Sequence, residues 1–355
     1  MPVSNRRVAW IVLTLSLGAV VAEHSHAGHE TRFAERIRTL SGPGGVFDTD
    51  NLISNEASYL DVMPALVDRG VTGGAYVGVG PDQNFSYIAH LRPSVAYIID
   101  VRRDNLLLHL LFKAIFAEAP RRVEYLSLLT GRAPPPADPP STAASIETLI
   151  EQVEQALPVD RGLVRERLEE RIRAFGVPLS GADFETIARF HRAFIDAGFA
   201  LRFRSHGRPA QAYYPTFGAL LVATDRNGRQ WGYLASDEAY QVVRELQARD
   251  AIIPVVGDVS GPQAMPAIAA GLSSEGVALS ALYISNVEDY LFRNGSFEAF
   301  ADNVARLPRM PQALIIRSIF GGGSSASRVQ RVDDLLAGIA RGRYHSYRDV
   351  LYGLR

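Results

Sequence analysis

The 355-residue sequence contains no cysteine, so disulfide bonds, thiolate metal sites and cysteine nucleophiles are excluded. It also has almost no net charge. The formal charge of -1 at pH 7 gives no overall field that would attract nucleic acid or an anionic membrane. Three familiar motifs are missing as well: a GxSxG nucleophile elbow, a GxxxxGK[ST] phosphate loop and a zinc-binding helix motif. Several common classes of hydrolase, nucleotidase and metalloenzyme are therefore disfavoured.

The first residues have the pattern of a secretory signal peptide. Arg6 and Arg7 precede an uncharged run of fifteen residues, VAWIVLTLSLGAVVA (8–22), which ends in small residues. This run is shorter than the roughly 20 residues that a membrane-spanning helix needs. We expect residues 1–22 to be a signal peptide and the protein to be periplasmic or secreted. The alternative is a protein anchored in the membrane by an uncleaved leader.

Residues 23–45 read as a flexible N-terminal segment. It contains His24, His26 and His29, whose spacing suits a tail better than a metal site, because no further ligand is fixed beside them. Downstream, Ser54-Asn55-Glu56 favours the start of a helix that continues through Tyr59, although Pro64 shortens such a pattern.

Apolar runs of strand length then alternate with helical patterns on both sides of a central insert. The runs cover residues 76–79, 95–99, 251–258, 279–286 and 312–323. A single long helix is expected over 105–129. Such alternation predicts βαβ units, and hence an α/β fold with a doubly wound, mostly parallel sheet. The core is expected to comprise residues 46–130 and 250–355.

The central insert is expected to span residues 131–249 and to combine helices with a β-hairpin. It opens with the proline-rich RAPPPADPP (132–140), which is typical of a stiff linker. Three helical patterns follow, and then residues 218–236 predict a hairpin whose tight turn is Asn227-Gly228. The sequence shows no clear antiparallel hairpin near the C-terminus. The hairpin predicted at residues 218–236 is a candidate to take its place in the sheet.

Polar or glycine residues stand where the apolar runs end. Gly78 and Gly80 close the first run and Asp100 the second, while Asp258 and Asn286 close the next two. In a doubly wound sheet, ligands bind beyond the carboxyl ends of the strands, where the strand order reverses. Glycines let the backbone approach a ligand, and an acid about 20 residues after the first glycine suits the hydroxyls of a ribose. The pattern indicates a nucleoside-type ligand.

Glu56 and Tyr59, just before the first strand, are candidates for a lid over this ligand, with Glu56 as a base or a cofactor contact. The alternative is that Glu56 only occupies the first turn of a helix, where acids are favoured. Arg317 lies inside an apolar strand and needs a partner, either a sheet-end acid or an anionic ligand. The pair Arg102-Arg103 is interpreted as solvated, or else as a ligand for a phosphate or carboxylate.

The segments GGAYVGVGPDQNFSYI, AYIIDVRRDN and YISNVEDYLF carry a resemblance to a known fold family. The chain resembles a bacterial family of uncharacterised proteins with the Rossmann-like fold of class I S-adenosylmethionine-dependent methyltransferases. The resemblance covers about 46–130 and 250–322, and implies S-adenosylmethionine as the cofactor. It places Gly78 and Gly80 under the amino-acid portion of that cofactor, Asp100 on its ribose and Asp258 near its adenine.

The same resemblance implies that Asn286 faces the substrate and that Asp82 stands where a third glycine is usual. We take Asn286, Glu56 and Tyr59 as candidate catalytic residues and Asp82 as a further candidate for cofactor binding. The chain departs from the family pattern at Asp82 and at Tyr76, which stands where an acid is common. The implied function is methyl transfer to a small molecule. However, the methyl donor is a cytosolic metabolite and the leader indicates export.

Two alternatives therefore stay open. One is a non-catalytic periplasmic binding or interaction protein that keeps the fold, since a fold does not determine function. The other is an enzyme that acts on a different nucleoside or a sugar-like compound. For the enzyme the expected partner is a small-molecule substrate, and we expect neither nucleic-acid binding nor stable membrane association after leader cleavage.

Removal of the leader can be tested by the intact mass of the protein purified from cells. We expect a chain that begins after Ala22 or after Ala27, because both follow small residues suited to signal peptidase. A full-length, soluble cytosolic species would contradict the export prediction.

Overall fold

The computed structural model of the protein describes residues 31–136, 144–321 and 324–353. The signal-peptide prediction for 1–22 and the histidines His24, His26 and His29 lie outside these residues. No helix in the described part of the chain is both long enough and apolar enough to cross a membrane.

The strands form one six-stranded sheet in the order β3-β2-β1-β4-β5-β6. Their bounds are β1 Ala75–Val79, β2 Val95–Asp100, β3 Ile252–Val256, β4 Leu279–Ser285, β5 Arg309–Gly321 and β6 Ser324–Arg331. The first five strands pair in parallel, and β6 pairs antiparallel with β5. The prediction of an α/β fold with a mostly parallel sheet is thus confirmed, and the strand order reverses on either side of β1.

Helices flank the sheet and form the central insert. In the described ranges they are α1 Arg32–Leu40, α2 Met63–Asp68, α3 Gln83–Leu91, α4 Arg103–Glu118, α5 Arg122–Thr130, α6 Ile146–Gln155, α7 Arg161–Ala174, α8 Gly181–Ala197, α9 Phe217–Leu221, α10 Asp237–Ala248, α11 Ala264–Glu275, α12 Val287–Arg293, α13 Phe297–Arg306, α14 Val332–Ala340 and α15 Tyr347–Tyr352.

The core is centred on the sheet and on α4. All five residues of β1 and all five of β3 are buried, as expected for parallel strands that are covered on both faces. Every residue of α4 from Asn105 to Phe116 is buried too, because β3, α7, α8 and α10 all pack against this helix. The insert helices therefore share one continuous apolar core with the sheet.

Two helix predictions differ from the structure in their bounds. The single helix expected over 105–129 is broken into α4 and α5 at Ala119-Pro120, since proline lacks the N–H that would continue the helix. The helix expected to begin near Ser54 starts later than predicted. Residues Tyr59–Val62 form a 3-10 helix that leads into α2, and Pro64 lies in the first turn of α2, where proline is favoured. Glu56 lies in an irregular segment ahead of both helices.

Part of the segment 23–45, expected to be flexible, is helical, because residues 32–40 form α1. This helix buries Phe33, Ile37 and Leu40 and packs against β3 and α11. An amphipathic helix of this kind gains its stability from the buried face.

The predicted hairpin at 218–236 is also wrong as a pair of strands. Residues 217–221 form α9, and the Asn227-Gly228 turn closes a single bridge between Thr224 and Gln230. Asp225 holds that turn by accepting hydrogen bonds from the backbone N–H groups of Asn227 and Arg229 at 2.8 and 3.0 Å. The structure does contain an antiparallel hairpin near the C-terminus, formed by β5 and β6. Residues 218–236 therefore do not take its place.

Gly78 in β1 gives a test of packing next to the first strand end. A Cβ atom there would lie 2.0 Å from Asn84 Oδ1 and 2.7 Å from the Tyr76 ring. We expect Gly78→Ala to lower the free energy of unfolding by roughly 1–3 kcal/mol, the usual cost of overpacking. Urea denaturation provides the measurement.

The matched control is Gly271→Ala in α11, where a Cβ atom would meet open space. Because glycine is a poor helix former, this change should be neutral or stabilising by up to about 1 kcal/mol. Equal urea midpoints for the two variants would contradict the packing described for Gly78.

Candidate functional site

A cleft of about 750 Å³ opens at the carboxyl ends of the parallel strands. Gly80, Asp100, Asp258 and Asn286 all line it, and each lies at the end of a different strand or within two residues after it. The expectation that these four strand ends meet at one cleft is therefore confirmed as geometry. Their roles in binding stay predictions.

The turn after β1 is held open toward the cleft by Asn84. Its side-chain amide donates hydrogen bonds to the carbonyl oxygens of Val79 and Pro81 at 2.9 and 2.7 Å, and its oxygen accepts one from Tyr76 Oη at 2.8 Å. Gly80 takes a φ of +84° within this turn, a conformation that glycine adopts without strain. Tyr76, which the family resemblance puts where an acid is common, supports the turn through its hydrogen bond to Asn84.

His109 on α4 supports the same turn from below. Its Nε2–H donates to the Gly80 carbonyl oxygen at 2.9 Å. Burial lowers the pKa of His109 to about 4, so the ring is neutral at physiological pH. His109 is therefore a structural histidine that supports this turn.

Asp100 at the end of β2 is tied to Arg102. The guanidinium of Arg102 donates to both carboxylate oxygens, from Nε at 3.0 Å and from Nη2 at 2.7 Å, and the Arg102 backbone N–H donates at 2.9 Å. The interpretation of Arg102 as solvated is wrong, since the residue is only 7% exposed. Three of the roughly four lone-pair sites of the Asp100 carboxylate are occupied, which leaves one on Oδ2.

Asp258 after β3 is the more available acid. Its Oδ1 accepts hydrogen bonds from the backbone N–H and the hydroxyl of Ser260 at 2.8 and 2.7 Å. These bonds fix the carboxylate at the rim of the cleft, and the residue is exposed. Asp258 therefore has free acceptor capacity for a ligand donor such as an amino group.

Glu56 lies on the other side of the cleft, toward β4 and β5. Although it lines the cleft, it is only 1% exposed. Its carboxylate accepts hydrogen bonds from Tyr283 Oη at 2.7 Å and from the hydroxyls of Ser285 and Ser318. Burial raises the pKa of Glu56, and the three hydroxyl donors lower it only in part. The reading that Glu56 merely sits in the first turn of a helix is therefore wrong.

Residues 42–58, the covering segment, cross the cleft from β3 to the β5–β6 hairpin. The backbone N–H of Gly42 donates to Val256 O at 2.8 Å, and Arg102 Nη1 donates to Thr49 O at 3.0 Å. At the far end, the backbone N–H of Ser58 donates to the hydroxyl of Ser325 at 3.3 Å. The covering segment thus forms one wall of the cleft.

Three predicted site residues do not line the cleft. Gly78 is covered by Asn84 and Tyr76, so its missing side chain makes room for protein atoms. Asp82 points to the opposite side of its turn, where it accepts a hydrogen bond from Tyr233 Oη at 3.1 Å. Tyr59 is 4% exposed and its hydroxyl donates to Leu220 O at 3.3 Å, so it packs against the insert.

Arg317 in β5 finds its partner in Glu288, in the first turn of α12. The two side chains form a bidentate ion pair in which Nη2 lies 3.0 Å from Oε1, and they are 0% and 1% exposed. The prediction that Arg317 is paired with an acid is thus correct, although Glu288 is not one of the acids that end the apolar runs. The partner is an acid that sequence reasoning did not single out.

Sequence reasoning also missed most of the aromatic rim of the cleft. Rings from the covering segment, the insert, α12 and β5 share this rim: Phe47, Phe203, Tyr213, Tyr214, Tyr290 and Phe320. Phe203 and the tyrosine pair come from the insert, where no periodic pattern marks them. Within the described residues, no cluster of three or more histidine and acidic side chains could hold a metal ion.

Comparison with known proteins gives one family match. Residues 52–156 and 210–340 match the model of a domain of unknown function, DUF7790. The matched segments together exceed half of the chain. The chain belongs to this family. No curated protein matches it.

The DUF7790 match includes all six strands and all the predicted site residues. It therefore covers the floor of the cleft. Val46 and Phe47 on the covering segment fall outside the match, as does Phe203, and the unmatched residues 157–209 contain α7 and α8.

Asp82 gives a test of burial beside the site. Burial raises the pKa of Asp82 from 3.8 to about 7, and the hydrogen bond from Tyr233 offsets this only in part. Between about pH 4 and pH 7 the unfolded chain releases this proton while the folded protein keeps it, so stability falls as the pH rises. Asp82→Asn has no such proton to lose. We therefore expect its free energy of unfolding, relative to that of the unmodified protein, to rise by roughly 2–4 kcal/mol between pH 4 and pH 7.

The measurement is the free energy of unfolding in urea at pH 4, 5.5 and 7. Asp302→Asn on the exposed face of α13 is the matched control, and its difference from the unmodified protein should not grow with pH in this way. A constant difference for Asp82→Asn across the series would show that Asp82 is ionised in the folded protein.

Proposed function

We propose that the cleft binds a nucleoside-type ligand, with S-adenosylmethionine as the first candidate, and a small-molecule substrate beside it. The observation that carries this proposal is the convergence of Gly80, Asp100, Asp258 and Asn286 on one cleft, where the strand order reverses. That position is the usual ligand site of open α/β sheets. The same strand order supports a Rossmann-like, methyltransferase-type classification of the fold.

The acceptors of the cleft suit the nucleoside part of this ligand. Ribose hydroxyls and an adenine amino group are hydrogen-bond donors, and Asp258 and the free site of Asp100 Oδ2 are acceptors. Gly80 lets a ligand approach the turn after β1 without a side chain in the way.

The amino-acid part of S-adenosylmethionine would meet different residues from those implied by the family resemblance. Gly78 and Asp82 lie off the cleft, whereas Gly80 and Gln83 line it. When bound, this cofactor supplies a methyl group on a positively charged sulfur. Glu56 and Asn286 would orient the substrate, and Glu56 would accept a proton at its carboxylate.

One observation favours the non-catalytic alternative. Arg102 already occupies most of the Asp100 carboxylate, so a ribose could not take both oxygens unless Arg102 moved. A binding protein that keeps the fold would show this arrangement, and the export signal expected from the sequence agrees with it.

Calorimetric titration with S-adenosylmethionine, S-adenosylhomocysteine and adenosine tests the proposal. We expect all three to bind, and Asp258→Asn to weaken each by roughly 10- to 100-fold, because one charged hydrogen-bond acceptor is lost. Asn keeps the oxygen that Ser260 contacts, so the turn should persist.

Asp302→Asn, which lies away from the cleft, should leave all three affinities unchanged. Absence of both heat and a thermal shift with all three compounds would refute the nucleoside proposal and favour another class of small molecule.

A further inference from the structure

The cleft spans five parallel strand ends and has two chemically different sides. Adjacent strands lie about 4.8 Å apart, so the ends of β3 and β5 are separated by roughly 19 Å. Asp100 and Asp258 lie on the β2–β3 side, whereas Glu56, Asn286 and Phe320 lie on the β4–β5 side. A cleft of this width accommodates two small molecules side by side.

Glu56 on the β4–β5 side is a buried acid without a positive partner. Its three hydrogen-bond donors are neutral hydroxyls, and no arginine, lysine or histidine of the described chain lies within ion-pair distance of it. The nearby cation, Arg317, is already paired with Glu288. A buried carboxylate is costly unless it is protonated or a positive charge compensates it, so an ammonium ligand would stabilise the ionised form of Glu56.

Gln83 adds a second acceptor next to this acid. Its amide nitrogen donates to Tyr283 Oη at 3.0 Å, and Tyr283 donates in turn to Glu56. The amide oxygen of Gln83 is buried and has no hydrogen-bond partner in the described part of the chain, although the residue lines the cleft. An unpartnered acceptor beside a carboxylate calls for a ligand group with several N–H donors.

The cleft as a whole is negatively charged, as Glu56 is when ionised. Among the described lining residues, Glu56, Asp100 and Asp258 are acids and Arg102 is the only base, which sums to a formal charge of -2 when all are ionised. Since Arg102 is committed to Asp100, the remaining field attracts cations.

Apolar side chains surround the entrance. Of the eight large hydrophobic residues that are exposed on the described surface, four line this cleft: Val46, Tyr213, Tyr290 and Phe320. Phe47 packs edge-on against Tyr290 with a centroid distance of 5.1 Å. Clustered exposed apolar groups mark ligand sites, and aromatic faces also attract cations.

We infer that the β4–β5 side of the cleft binds a small organic amine, with its ammonium group at Glu56 and an apolar or aromatic body against the rim formed by Tyr290 and Phe320. This inference deepens the proposed function, and rests on it for the role of the bound amine as the substrate.

Three probes with the same phenyl body and different head groups test the inference: phenethylamine, 2-phenylethanol and 3-phenylpropionate. We expect calorimetry at pH 7 to give an affinity for phenethylamine at least ten times that for 2-phenylethanol, and no measurable binding of 3-phenylpropionate. This comparison needs no variant, so it stands even if a substitution impairs folding.

Two variants separate the head group from the body. Glu56→Gln keeps the shape and removes the charge, and the hydroxyl group that faces its amide nitrogen can turn to accept a hydrogen bond. This variant should reduce phenethylamine affinity about tenfold or more while leaving 2-phenylethanol unchanged. Tyr290→Ala, at a partly exposed ring, should weaken both compounds by a similar factor. Thermal unfolding of each variant checks that it is folded.

The outcomes distinguish this inference from the nucleoside proposal. Asp258→Asn should weaken adenosine and leave phenethylamine unaffected, because the two acids lie on opposite sides of the cleft. The amine site alone is overturned if adenosine binds but phenethylamine and 2-phenylethanol bind with equal affinity. It is also overturned if adenosine binds and 3-phenylpropionate binds more tightly than phenethylamine. Selective amine binding without any nucleoside binding supports the amine site and overturns the nucleoside proposal.

Discussion

The geometry of the cleft depends on the hydrogen bonds of one buried amide, Asn84. This side chain joins the last residue of β1 to the turn that follows, and Tyr76 and His109 hold the two ends of the arrangement. Each of these polar groups is buried, so the loss of any bond would leave an unpaired donor or acceptor at a cost of about 1–3 kcal/mol. The central strand end is therefore fixed before any ligand arrives.

The two sides of the cleft use their acids differently. Asp100 is neutralised by Arg102, which leaves Asp258 as the accessible acid on the β2–β3 side. Glu56, on the β4–β5 side, receives only hydroxyl groups. Because both the nucleoside proposal and the amine site depend on acceptors facing a ligand, the distribution of positive partners, more than the number of acids, decides what each side can bind.

Much of the sheet could be predicted from the sequence, because apolar runs buried on both faces leave a clear signal and their ends must lie at one edge. That reasoning located Gly80, Asp100, Asp258 and Asn286 correctly. It failed where the position of a residue relative to the cleft depends on which way it faces. Gly78 and Asp82 flank Gly80 in the chain, yet Gly78 is covered by Asn84 and Tyr76, and the Asp82 side chain faces Tyr233 inside the protein. The hydroxyls on Glu56 come from β4 and β5, about 230 to 260 residues away, and no local pattern reveals such a meeting.

Arg102 holds the Asp100 carboxylate and, with the same guanidinium, the backbone oxygens of Thr49 and Asp50 in the covering segment. The order of the covering segment and the pairing of Asp100 with Arg102 are thus thermodynamically linked. A compound that competes for Asp100 must loosen the wall, and by reciprocity anything that loosens the wall makes the acid easier to reach. Access to Asp100 and the position of the covering segment thus depend on the same side chain, Arg102.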